Sequence, residues 1–70
     1  MAQVKSTMAG VVLAIHAQPG ERIEVGQDVI LLESMKMEIP IQAEVAGTVK
    51  EIKVQVGDFV EDGAALIELE

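Results

Sequence analysis

The sequence predicts an all-β domain, a small barrel or sandwich in which two halves of four short strands each bury one common core. Three observations carry this. Turn signals recur at short intervals, at Pro19-Gly20, Gly26, Gly57-Asp58 and Asp62-Gly63, with stretches rich in β-branched residues between them. No stretch sustains the i, i+3, i+4, i+7 spacing of an amphipathic helix over its whole length. The chain also repeats itself. Displaced by 37 positions, Ala9 falls on Ala46, Gly10 on Gly47, Val12 on Val49, Ile15 on Ile52, Gln18 on Gln55 and Gly20 on Gly57. Glu24 then meets Glu61, Gly26 meets Gly63, Ile30 meets Ile67, Leu32 meets Leu69 and Glu33 meets Glu70, which makes eleven identities over the 25 positions from 9 to 33.

The strands follow in order. The first is expected over Gln3 to Ser6 and the second over Gly10 to His16. In the second, Val12 and Ile15 sit three apart and break strict alternation; Val49 and Ile52 break it at the same place in the other copy, so a shared β-bulge is expected. Pro19-Gly20 turns the chain into a third strand over Glu21 to Glu24, and Gly26 turns it into a fourth over Asp28 to Glu33. The fifth runs from Met37 to Gln42; Pro40 cannot donate to a ladder, so its amide position faces an edge or a bulge. Val4 aligns with Ile41, which makes the first and fifth strands equivalent. The last three, Gly47 to Val54, Phe59 to Glu61 and Ala65 to Leu69, repeat the second to fourth. Gly20 and Gly57 occupy tight turns that call for a positive φ. Residues 1–70 thus read as one domain with repeat halves at about 3–33 and 40–70.

Composition narrows the function. Seventy residues bury only about 60% of their unfolded surface, so stability rests on a dense core. Without cysteine there is no disulfide and no thiolate metal site, and no metal site is expected. Twelve acids against five bases give a net charge of −7, which repels a polyanion and argues against nucleic acid as a partner. Phe59 is the only aromatic, too little for a base-stacking platform. No apolar run approaches the roughly 20 residues of a membrane span, and the N-terminus has no basic segment leading into an apolar one. Cytoplasmic residence is the default, with no membrane partner. His16, aligned with Lys53, reads as an exposed strand residue, and no nucleophile–base pair stands at interpretable spacing, so no catalytic residue is expected.

One lysine stands out. Lys36 lies in Glu33-Ser34-Met35-Lys36-Met37-Glu38, at the junction of the two repeat copies. With strands ending at Glu33 and resuming at Met37, Ser34 to Lys36 must reverse the chain, and such a tip faces solvent because a buried turn would strand its backbone polar groups. Met35 and Met37 place two flexible apolar side chains beside the charge. The plainest alternative is an interaction module without a cofactor, in which the methionines fill the core and Lys36 is an ordinary turn lysine.

These residues resemble the biotinyl/lipoyl attachment domain of biotin-dependent carboxylases, most closely its small free-standing form. The resemblance covers essentially the whole chain: Ala9-Gly10, Ala46-Gly47, Pro19-Gly20, Gly57-Asp58, and Glu33 to Met37 against the family motif Glu-Ala-Met-Lys-Met. It implies a flattened barrel-sandwich hybrid of two four-stranded antiparallel sheets with the attachment lysine at a hairpin tip. Lys36 matches the biotinylated lysine, Met35 and Met37 its flanking methionines, and Glu33 the residue recognised by biotin protein ligase. Ser34 departs from the motif's alanine and resembles lipoyl domains, which leaves lipoate as the alternative cofactor and a carrier for an oxo-acid dehydrogenase or glycine cleavage system as the alternative function. A thumb insertion found in some bacterial carriers has no room, since the repeat copies align without a gap.

The resemblance implies a carrier and no enzyme. A free lysine amine, with an ordinary pKa of about 10.4, is protonated at neutral pH and needs another protein's active site to become a nucleophile. Biotin protein ligase would supply that site. Biotin carboxylase would then load a carboxyl group on the attached biotin, and a carboxyltransferase would pass it to an acceptor, typically an acyl-CoA. Lys5, Lys50 and Lys53 lie at no tip between methionines and stay unmodified. The short distance from Met1 to the first strand favours a free-standing subunit.

Overall fold

The protein is described here as a computed structural model covering residues 2–70; Met1, and with it the distance from Met1 to the first strand, lies outside the described residues. Eight strands form in order: β1 Gln3–Lys5, β2 Gly10–Ile15, β3 Arg22–Ile23, β4 Asp28–Ser34, β5 Met37–Gln42, β6 Gly47–Ile52, β7 Phe59–Val60 and β8 Ala65–Leu69. They make two four-stranded antiparallel sheets, ordered β1-β8-β6-β3 and β5-β4-β2-β7. Adding 37 to a residue number converts β1 to β5, β2 to β6, β3 to β7 and β4 to β8. The internal two-fold therefore exchanges the sheets, and each sheet takes strands from both halves. The molecule measures 31 × 19 × 18 Å.

The core is the buried face of both sheets. Val12, Ile23, Val29, Ile30, Leu32 and Ile41 share one buried cluster with their repeat equivalents Val49, Val60, Leu66, Ile67, Leu69 and Val4. Alternation along the paired strands turns most of these residues to one face, and register shifts at Val29 and Leu66 let the adjacent pairs Val29/Ile30 and Leu66/Ile67 both turn inward; burying them removes the apolar area that drives a chain this small to fold.

The shared bulge is present in both copies. Val12 pairs with Leu32 and Ala14 with Leu31, which leaves Leu13 unpaired; Val49 pairs with Leu69 and Glu51 with Glu68, which leaves Lys50 unpaired. A second symmetric pair of irregularities falls at Val29 and Leu66. These explain why β2 and β6 stop earlier than the sequence suggests; β3 and β7 are also shorter than expected, at two residues each. His16 and Lys53 lie beyond β2 and β6 because their N–H groups donate to the carbonyls of Val29 and Leu66 at those bulges (both 2.8 Å). Ser6 lies outside β1, its N–H bonded to the Ala64 carbonyl and its hydroxyl donating to the Met8 carbonyl.

Gly20 and Gly57 have φ of +89° and +98°, as their turns require. Their N–H groups donate to Val49 and Val12 across the molecule, both at 2.8 Å. Pro40 sits on β5, an edge strand, where a missing donor leaves no gap in the sheet.

Candidate functional site: the lysine hairpin

The β4–β5 hairpin is anchored at its base and free at its end. Val29, Ile30, Leu32 and Ile41 are buried in the core, and Gln42 Nε2 donates to Asp28 Oδ1 (3.0 Å) where the strands begin to pair. The pairing then runs Leu31 with Pro40, Leu32 with Ile39, Glu33 with Glu38 and Ser34 with Met37. β2 accompanies β4 only as far as Val11 opposite Glu33, so the end of the hairpin projects past the neighbouring strand.

Ser34 therefore belongs to the strand, and the chain reverses in two residues, not three. Met35 and Lys36 have φ of +54° and +65°. Two central residues with positive φ define a type I′ turn, whose twist matches that of the flanking strands. Asn-Gly is the usual pair in this turn, because positive φ disfavours other side chains by roughly 1–2 kcal/mol per residue. Met35-Lys36 thus holds a costly conformation at the tip, and strained backbone of this kind marks functional positions.

Met35 is 89% exposed and Met37 63%, while Lys36 is also exposed. The methionines fill no core; they flank the amine in solvent. Ion pairs among the described residues join Arg22 to Glu24 and Lys53 to Glu51, and Lys36 belongs to neither. No pocket opens among the described residues, and no three His, Cys, Asp or Glu side chains are placed to hold a metal. No helix among them is long and apolar enough to cross a membrane. The chemistry on offer is a primary amine at the end of a rigid two-strand mount, suited to receive an acyl group from another protein.

Glu33 and Glu38 stand directly opposite each other on the outward face of the hairpin, both exposed. Like charges in this arrangement oppose pairing. Sequence reasoning singled out Glu33 but missed Glu38 as its neighbour; a two-residue turn after Ser34 would have placed them together.

The comparisons with known proteins agree with this geometry. A family-wide sequence profile described as "Biotin-requiring enzyme", for biotin and lipoyl attachment, matches residues 2–69. The chain belongs to the biotin/lipoyl attachment family. It is 53% identical over 66 residues to the biotin/lipoyl attachment protein of Bacillus subtilis (strain 168), covering 94% of this chain and 90% of that protein. It is 42% identical over 67 residues to the mitochondrial propionyl-CoA carboxylase alpha chain of Homo sapiens, covering 96% of this chain but 9% of that one. Among solved structures, Kluyveromyces lactis urea carboxylase contains a region that superposes with a TM-score of 0.89 at 30% identity, covering 99% of this chain and 6% of that one. The barrel-sandwich fold and the carrier role, in place of a catalytic one, follow from this membership, as does biotin as the group carried.

Proposed function

We propose that Lys36 is the residue that carries biotin, and that the chain shuttles a carboxyl group between a biotin carboxylase and a carboxyltransferase of an acyl-CoA carboxylase. The observation that carries this is the exposed Lys36 amine on a two-residue tip between Met35 and Met37. In the modification step, Lys36 Nζ gives up a proton in the active site of biotin protein ligase and attacks the acyl carbon of biotinyl-adenylate. An amide forms and AMP leaves. Glu33, two residues before the turn, supports recognition by that ligase. Attached biotin supplies a ureido nitrogen that accepts and releases a carboxyl group. The chain contributes a rigid base, so that a flexible arm raises the local concentration of cofactor at each enzyme it visits. The 70 residues act as one attachment unit, with cytoplasmic residence as the default reading.

Lipoate is a second reading, supported by Ser34 in the hairpin and by a relative named for both groups. Intact-mass measurement of protein co-expressed with biotin ligase and, separately, lipoate ligase tests both, because the two adducts differ in mass. One biotin per chain is expected, with none on Lys36→Arg. Biotin retained by that variant would place attachment elsewhere, and a lipoyl adduct alone would favour the second reading.

A further inference from the structure

The internal two-fold acts as a control on what the fold requires of each outward-facing position. On the sheet that carries Lys36, the outward face between the Asp28–Gln42 pair and the Glu33–Glu38 pair holds Pro40 and Phe59, both exposed, and Leu31, Ala14, Leu13 and Val11, all half-buried. The pairings Pro40 with Leu31, Leu31 with Ala14 and Val11 with Phe59 put them on one face, with the bulged Leu13 beside Ala14. None belongs to the core cluster, which takes Val12, Leu32 and Val60 from the other face of the same strands. Phe59, the sole aromatic, is 65% exposed.

Their equivalents, 37 positions away on the other sheet, are Gln3, Glu68, Glu51, Lys50, Thr48 and Arg22. Those are paired in the same register, Gln3 with Glu68, Glu68 with Glu51, and Arg22 with Thr48. All six positions are apolar on the lysine-bearing sheet and all six are polar or charged on the other. Scattered exposed apolar residues are ordinary on a protein surface, but a contiguous apolar face marks an interaction site. Since the same fold accepts Glu, Lys, Thr and Arg at these places, packing does not demand the apolar set.

We infer that this face, Val11, Leu13, Leu31, Pro40 and Phe59 with Glu33 and Glu38 at its lysine end, is the surface on which biotin protein ligase seats the protein before Lys36 is acylated. The inference rests on the biotin-carrier reading. Glu33 and Glu38 lie in one row with Val11 and Phe59, so the apolar patch runs without a break into an acidic rim beside the tip. A partner that fits is apolar at the centre of its contact and cationic at the edge nearest its own active site. An enzyme that binds an adenylate phosphate carries such cations. Distance points to the same partner. Before modification, the ligase must approach within one lysine side chain of the backbone, so the body of the domain has to rest on the enzyme. A second copy of the chain fits poorly, because each carries a charge of −7 and an acidic rim.

The test measures biotin incorporation by purified ligase over a range of unmodified-protein concentrations. The variant Leu13→Lys/Leu31→Glu/Phe59→Arg gives the face the residues already present at the equivalent positions of the other sheet, so the fold should tolerate it. Phe59→Ser alone, at a largely exposed position, guards against misfolding of the triple variant. The triple variant should raise KM for the protein at least tenfold with kcat within twofold of wild type, and Phe59→Ser should raise KM severalfold. Equal KM values for wild type and both variants would overturn the inference. So would an effect confined to later carboxylation by biotin carboxylase, or a wild-type dimer in sedimentation that the triple variant converts to monomer. Failure of the carrier reading looks different: wild type would take up no biotin at any concentration, or Lys36→Arg would still take it up.

Discussion

Gly10 lies so close to Glu33 that a Cβ at Gly10 would stand 2.6 Å from the Glu33 carbonyl oxygen and 3.4 Å from Ser34 Cβ. The start of β2 is thus fitted directly against the strand that leads to the lysine tip. Its repeat equivalent, Gly47, would meet only side-chain atoms, Leu69 Cδ1 at 3.3 Å and Leu69 Cβ at 3.4 Å. The two glycines are identical in sequence and unequal in consequence. Gly10→Ala should destabilise the protein by about 2 kcal/mol or more, since backbone must move, while Gly47→Ala should change it by under about 1 kcal/mol. Urea denaturation of both variants checks this; equal effects would contradict the close fit.

The strain at the tip predicts a gain of stability when function is removed. Met35→Asn/Lys36→Gly installs the preferred residues of a type I′ turn in place of two that disfavour positive φ. The variant should be more stable by about 1 kcal/mol, which raises Tm by roughly 4–8 °C in a domain of this size. It should accept no biotin. A lower Tm than wild type would refute the assignment of strain.

Glu33 and Glu38 face each other with like charge. Glu38→Lys turns the pair into an attractive one and should stabilise the fold by about 0.5 kcal/mol at low salt, less at high salt. If the acidic rim guides the ligase, the same change should slow biotin incorporation chiefly through KM. Thermal melts at two salt concentrations, with labelling kinetics beside them, separate the two effects.

Leu31 and Leu32 are neighbours in β4 with opposite surroundings. Leu32 is fully buried, while Leu31 is outward-facing and half-buried. Leu32→Ala should lose about 2–5 kcal/mol, enough to unfold much of a small domain, and Leu31→Ala less than about 1.5 kcal/mol. Far-UV circular dichroism on heating distinguishes them. Similar losses would place Leu31 in the core and remove the docking face.

Gly20→Val and Gly57→Val should each destabilise by about 1–3 kcal/mol. Nothing lies within 4 Å of a Cβ at either position, so the effect comes from positive φ alone and not from crowding. A Tm equal to that of wild type would contradict the turn geometry.

Much of this was legible from residue order alone. The 37-residue displacement placed the strands, the bulge shared by Val12/Ile15 and Val49/Ile52, the positive φ of Gly20 and Gly57, and Lys36 at a reversal. Spacing extends β2 and β6 to His16 and Val54, but the cross-bonding of His16 and Lys53 to the bulged Val29 and Leu66 ends them sooner. Spacing alone does not distinguish a two-residue reversal from a three-residue one, so Ser34 reads as turn in the sequence and is strand in the structure.

Sequence by itself determined the periodicity, the duplication and the lysine, since these depend on side-chain alternation and local turn chemistry. Only tertiary structure decided which strands share a sheet and which side chains of those strands face outward. The two-fold exchanges strands between halves, so Leu31 and Phe59 come onto one face through β2, which lies between their strands. That arrangement is non-local, and no local preference of Leu31 or Phe59 encodes it.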